Sequence, residues 1–220
     1  MEKTVIELSN VTKKIGAQVL LNSVSLQLTE GHVYGFAGQN GAGKTVLLET
    51  ILGFVRPTSG NVIVNGIMVR HDQMFAPNVG FALGTDALLP MFDGATNLGL
   101  VARTKAEAEP GKIQALLKQV GLNPVSKQKV HDYSLGMRQR LNVACALVND
   151  DPIVILDEPT NGLDDAGQRF LSKLVDQLRT AGKTVLLTSH NREFLMQLSD
   201  EIFLVNAGNV KRAEAADEVD

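Results

Sequence analysis

The octapeptide GQNGAGKT, Gly38 to Thr45, is the feature that most narrows what this chain can fold into. It fits the pattern G-x-x-x-x-G-K-[ST] without a mismatch and follows the apolar run HVYGFA. Glycines at these spacings let consecutive backbone amides curl around an anion, and a helix starting beyond them aims its free N-terminal amides at the same point. The cradle is Gly38, Gln39, Asn40, Gly41, Ala42 and Gly43, with Val46 in the helix start. Lys44 reaches the outer phosphates and Thr45 offers a hydroxyl to Mg²⁺. A glycine-rich turn can exist without a nucleotide, but one between a strand and a helix is built for phosphate.

Two further runs end in chemistry. IVILDEP places Asp157 and Glu158 at the end of a continuous apolar strand, where Asp157 would hold Mg²⁺ and Glu158 could act as the base that polarises water for attack on a γ-phosphate. LLTSH ends the next strand at His190, on the edge where α/β sheets present ligands, which makes His190 a candidate γ-phosphate contact. Adjacent acids at a strand end can be loop caps, and a strand-end histidine can be a plain surface residue. Their order behind the phosphate loop favours chemistry. His32, His71 and His131 lack such placement and read as solvated or locally bonded.

Charge excludes some partners. With 21 basic and 24 acidic residues the net charge is −3, so no overall basic field attracts nucleic acid. No stretch of about 18 apolar residues is present, and the start, MEKTVIELSN, lacks a basic segment followed by an apolar one. The single cysteine, Cys145, falls on the apolar face of a helix and reads as a buried, inert thiol. These features fit a cytoplasmic chain in a reducing compartment that does not itself cross a membrane.

Short apolar runs separated by turns organise the rest. TVIEL, VSLQL and NVIVNGIMV, the last with the two-residue hairpin signal Asn65-Gly66, predict a partly antiparallel first part. PIVILD and KTVLLTS predict strands buried on both faces. Between them Phe170, Leu174 and Leu178, with Leu171 and Val175, have helical spacing, and Gly182 follows as a C-terminal cap, giving a parallel βαβ unit. From about Gly84 to Asn149 helical segments replace strands, as an insertion would. The expected fold is α/β, with a P-loop NTPase (RecA-like) core, an N-terminal antiparallel β part and an inserted helical subdomain. Residues 1–220 form one domain, with 1–83 and 150–210 as the core and 84–149 as the helical part. The charged end, 211–220, reads as a solvated tail.

HDYSLGMRQRL raises its own question. Ser134 reads as an N-cap, and Leu141, Ala144, Cys145 and Val148 follow at helical spacing. With Gly136 beside it, such a helix start can serve as an anion site or be an ordinary cap.

These motifs, taken in order, resemble the nucleotide-binding subunit of an ABC transporter from about Val5 to Val210. GQNGAGKT resembles the Walker A loop, YSLGM the signature motif, VILDE the Walker B strand, NGLD with Asp164 the D-loop, and His190 the switch histidine. The leucine of YSLGM, where many members have a second glycine, resembles the branch that exports antibiotics, bacteriocin-like peptides and other hydrophobic drugs. The resemblance implies an ATPase that binds ATP and Mg²⁺. It also implies a second nucleotide-binding subunit, identical or homologous, packed head to tail, so that Ser134 and Gly136 serve a neighbour's γ-phosphate. A separate transmembrane permease would hold the pair on the inner face of the membrane.

Two positions depart from the family pattern. The aromatic that often stacks on adenine is replaced by Ile15, which offers only apolar contact. The glutamine expected after VGFAL falls at Gly84, with Asp86 a candidate substitute. Leu88, Leu89, Met91 and Phe92 read either as a docking surface for the membrane subunit or as core. A soluble ATPase acting on ribosomes or DNA usually needs tandem nucleotide domains, a coiled coil or a basic extension, none of which is present. A low-turnover regulator would fit Gly84 and Ile15 but not Glu158 and His190.

Overall fold

Two sheets share one core, as seen in a computed structural model that describes residues 3–84, 87–102 and 110–213. The first sheet holds two long strands, β1 (Thr4–Ile15) and β2 (Gln18–Thr29), with β4 (Ser59–Val64) and β5 (Ile67–Met68), in the order β2-β1-β4-β5. All its pairings are antiparallel. Asn65 and Gly66 take φ values of 50° and 78° between β4 and β5, the left-handed pair that a two-residue hairpin requires.

The second sheet has the order β10-β9-β3-β8-β7-β6, built from β3 (Val33–Ala37), β6 (Val79–Leu83), β7 (Ile153–Asp157), β8 (Thr184–Ser189), β9 (Glu201–Asn206) and β10 (Asn209–Arg212). Its four pairings from β9 to β6 are parallel, whereas β10 turns back antiparallel along β9. Every residue of β3, β7 and β8 is buried, as expected of parallel strands covered on both faces. The helix α1 (Lys44–Leu52) covers one face. On the other lie α5 (Asp165–Thr180), through Leu171, Leu174, Val175 and Leu178, and α6 (Arg192–Leu198), through Phe194 and Leu195.

Between β6 and β7 the chain forms α2 (Gly94–Ala102), α3 (Pro110–Gln119) and α4 (Leu135–Leu147), with a short 3-10 turn at Val130–Asp132. They close on a separate cluster around Leu98, Leu117, Val120 and Leu141. The charged end departs from the expected tail at its start. Lys211 and Arg212 pair with Leu204 and Phe203 in β10, and Arg212 reaches Glu201 at 3.2 Å. A left-handed Ala207-Gly208 turn carries the chain back along β9, so these two basic residues gain ladder bonds that composition does not reveal. The last seven residues of the expected tail, 214–220, lie outside the described residues.

The helical part is held against the core at one close approach. A Cβ placed on Gly80 of β6 would overlap the carbonyl oxygen of Ala146 in α4, whereas one on Gly111 of α3 would meet open space. Gly80→Ala should therefore cost about 1–3 kcal/mol by overpacking, lowering the melting temperature by roughly 2–4 °C per kcal/mol. Gly111→Ala should leave it unchanged or raise it. Calorimetry of both variants checks this, and equal melting temperatures would sink the claim.

Candidate nucleotide site

The phosphate loop connects β3 to α1 at the C-terminal edge of the parallel sheet. Gly41 and Gly43 take φ values of 80° and 110°, which side chains resist. Gly43 is the N-cap of α1 and no side chain caps it, so the first amides of the helix stay available to an anion. The loop is pinned from behind. The Ala42 carbonyl accepts from the Gly208 amide at 3.0 Å, and a Cβ on Gly43 would lie 2.7 Å from the Leu20 carbonyl oxygen.

Lys44 is only 5% exposed. Its ammonium donates to the Gly38 carbonyl at 2.5 Å and the Gln39 carbonyl at 3.2 Å. It also stands 3.0 Å from Glu158 Oε1 in an ion pair without a directed hydrogen bond. The second Glu158 oxygen, Oε2, lies 3.0 Å from His190 Nδ1. Lysine, glutamate and histidine thus form one line from the phosphate loop to the end of β8.

A second line runs deeper. Thr45 Oγ1 donates to Asp157 Oδ2 at 2.7 Å, and Thr188 Oγ1 donates to Asp157 Oδ1 at 2.5 Å. The same Thr188 oxygen accepts from the Glu158 amide at 2.7 Å. Glu158 has φ 45°, an uncommon conformation for a side-chain-bearing residue. One buried threonine therefore orients the aspartate and the turn that aims the glutamate. Glu49, one turn after Thr45, has its carboxyl raised above the usual range by burial first and by the charge of Asp157 second.

Thr45 and Asp157 bring two hard oxygens to the phosphate loop, a donor set that suits Mg²⁺. Among the described residues no group of three or more His, Cys, Asp or Glu could cage a metal.

The cleft above the loop, 290 Å³ in volume, is lined by Gln39, Asn40, Gly41, Gly43, Lys44, Thr45, Val46 and Glu158 together with Gln18 and Leu20 of β2. Several residues singled out from the sequence stand elsewhere. Ile15 is 62% exposed at the β1–β2 hairpin and does not line the cleft. Neither Ser134 nor Gly136 lines it. Ser134 caps α4, its hydroxyl accepting from the Met137 amide at 3.2 Å. Asp164 caps α5, accepting from Gly167 at 2.8 Å. Asp86 lies outside the described residues.

Gly84 follows β6 with φ +62°, its carbonyl accepting from Asn142 Nδ2 at 2.6 Å. The preceding Leu83 pairs with Asp157, so position 84 adjoins the acid pair. Sequence reasoning passed over Thr188, Gln18 and Leu20. The signal for Thr188 was a buried hydroxyl near the end of the run KTVLLTS, two residues before His190. For Gln18 and Leu20 no signal existed, because only the fold of the hairpin brings them to the loop.

The remaining histidines are local. His71 meets Asp72 at 2.8 Å, His131 meets the Pro90 carbonyl at 3.1 Å, and His32 meets the Glu30 carbonyl at 3.0 Å. Burial pushes the Cys145 thiol up to about 12, which keeps it protonated at neutral pH.

A family model described as ABC transporter matches residues 21–161. The ABC transporter ATP-binding protein YybJ of Bacillus subtilis (strain 168) is 36% identical over 95% of this chain and 96% of its own length. The lantibiotic transport ATP-binding protein SrtF of Streptococcus pyogenes is 32% identical over 93% of this chain and 88% of its own. Among solved structures, the dimeric post-hydrolysis state of the ATP-binding cassette MJ0796, bound to ADP and Pi, superposes with a TM-score of 0.86. Identity there is 27%, over 95% of this chain and 97% of that one. Sequence likeness along nearly the whole length and a shared cassette fold both point to the cleft already described: this chain belongs to the ABC transporter family, as one of its ATP-binding, ATP-hydrolysing subunits.

Proposed function

We propose that this subunit powers export of an antibiotic or hydrophobic peptide through a separate permease, by closing head to tail with a second cassette around two ATP molecules. The observation that carries the catalytic part is the bridging carboxylate of Glu158, 3.0 Å from Lys44 on one side and 3.0 Å from His190 on the other. When a γ-phosphate takes Lys44, that carboxylate is released to accept a proton from the attacking water, with His190 orienting it. The amides of residues 41–46 hold the phosphates and Lys44 neutralises charge that develops on them. Thr45 and Asp157 would hold Mg²⁺, whose charge would add to the neutralisation that Lys44 provides.

The partner cassette completes the site. Ser134 and Gly136 stand outside their own cleft at an exposed helix start, as a pair serving a neighbour's γ-phosphate must. The likeness to a lantibiotic transport protein supports the cargo class.

No helix among the described residues is long and apolar enough to cross a membrane. A groove of 460 Å³ between β6 and helices α2 and α4 is lined by Phe81, Leu83, Leu89, Leu100, Val101 and Cys145. We assign it to an apolar cytoplasmic helix of the permease. Of the four residues marked in the sequence, Leu88 is buried in the helical core and also borders the groove, Leu89 lines the groove, and Met91 and Phe92 are exposed outside it.

Three outcomes are expected. Glu158→Gln should retain MgATP, lose hydrolysis by a factor of about 10²–10⁴, and accumulate as an ATP-bound dimer on gel filtration. Adding Ser134→Ala or Gly136→Asp should weaken that dimer but not monomer binding. Hydrolysis that survives Glu158→Gln would remove Glu158 as the base.

The chain should sediment with membranes only when its permease is co-expressed, and Leu89→Asp should release it with nucleotide binding intact. Salt-sensitive sedimentation with ribosomes instead would favour a soluble role.

Turnover of the isolated subunit should be slow, at or below about 1 s⁻¹ against roughly 1–100 s⁻¹ for kinases, because no amide side chain extends from position 84 toward the acid pair. Gly84→Gln should raise it, even after the cost of about 1–2 kcal/mol for a left-handed side-chain-bearing residue. A Gly84→Gln variant with unchanged turnover, beside an inactive Asp86→Ala, would transfer the role to Asp86.

A further inference from the structure

The start of α4 and the turn behind Glu158 are fitted to each other within one chain. Leu135 lies over Gly162, and a Cβ on Gly162 would overlap Leu135 Cγ and Cδ2. Gly162 also holds φ +74°, which favours glycine. From the other side, a Cβ on Gly136 would come 3.2 Å from the Gly162 carbonyl oxygen.

One turn further along α4 the buried Gln139 donates its side-chain amide to the Glu158 carbonyl at 3.4 Å. That carbonyl also accepts from the Asn161 amide at 3.1 Å, and the Thr160 carbonyl accepts from Leu163 at 3.1 Å. Two successive turns therefore make the path from Glu158 to Gly162 stiff. The leucine that replaces a glycine in YSLGM and the glycine of NGLD are a matched pair: any side chain at 162 would displace Leu135.

We propose that Leu135 is a positioning residue that acts through Gly162 on the Glu158 of its own chain. Resting on the head-to-tail reading above, the assignment gives the contact a direction. When Ser134 and Gly136 engage phosphate in the partner's site, the start of α4 settles, and the Leu135–Gly162 contact sets the turn that aims Glu158 in the chain's own site. Leu135 is 49% exposed and meets Gly162 on one side, so a shift of α4 toward Gly162 presses on the turn, and a misplacement of about 1 Å in a catalytic group can cost about 10²-fold. The pair thereby couples hydrolysis in one site to occupancy of the other.

Cis and trans action separate in mixed dimers. A trace of tester chain with Glu158 intact is added to a large excess of Glu158→Gln carrier, so nearly every tester sits in a mixed dimer, and single-turnover ATP hydrolysis is read per tester. Leu135→Ala in the tester should slow hydrolysis about tenfold, within the usual span of coupling between sites. In the carrier, whose helix α4 faces the tester's phosphate, it should change the rate less than about twofold. Gly162→Ala in the tester should match Leu135→Ala, and Leu135→Met should restore the rate. Monomer affinity for MgATP and melting temperature, measured on Leu135→Ala, should stay those of the parent.

A loss seen only with the carrier variant would mean that Leu135 acts on the partner's phosphate, and an unchanged tester would mean that the contact is idle. Either overturns the proposal alone. A tester that never pairs with carrier on gel filtration, and hydrolyses at the same rate without it, overturns the head-to-tail reading and the proposal together.

Discussion

Several backbone amides must stay unpaired and converge on one point at the end of a buried strand, and the rest of this molecule is arranged around that demand. Unpaired buried amides are costly, so the loop survives only because its other groups are satisfied. Ala42 is tied to the β9–β10 turn and Lys44 folds back onto the Gly38 and Gln39 carbonyls. The antiparallel sheet contributes directly, since Leu20 of β2 backs Gly43. Two sheets with unlike patterns therefore share one core because the loop lies at their junction.

Around the loop, polarity is rationed. Asp157 is buried with a hydroxyl on each carboxylate oxygen, from Thr45 and Thr188, which offsets the cost of desolvating its charge. Thr188 accepts from the next residue's amide while donating to the aspartate, so Asp157 and Glu158 are positioned as a unit although their side chains serve different lines of contact. The phosphate side of the cleft is thus stiff. At the mouth of the cleft stand Gln18 and Leu20 of β2, while Ile15 is exposed outside it.

The helical part has its own small core and meets the parallel sheet mainly through α4. That helix does three things along its length. Its first turn leaves Ser134 exposed, Leu135, Gly136 and Gln139 approach the turn behind Glu158, and Asn142 and Cys145 wall the groove beside β6. A rigid rod in contact with both the turn behind Glu158 and the groove is suited to carrying movement between them.

Local chemistry determined much of this from the sequence alone. GQNGAGKT reads as a strand-to-helix phosphate loop, PIVILD and KTVLLTS as doubly covered strands, Asn65-Gly66 as a hairpin, and Ser134 as a cap, because each depends on neighbours a few residues away. What tertiary structure decided was which distant groups meet. The Lys44–Glu158–His190 line, the shared role of Thr188 and the seat of Leu135 on Gly162 join segments that periodicity treats as independent. Leu88, Leu89, Met91 and Phe92 are all apolar, yet Leu88 is buried and the other three are exposed, because burial is set by what packs above a residue and not by the residue itself. Lys211 and Arg212 read as tail by charge, yet they form a strand, since an edge ladder stabilises backbone whatever side chains it carries.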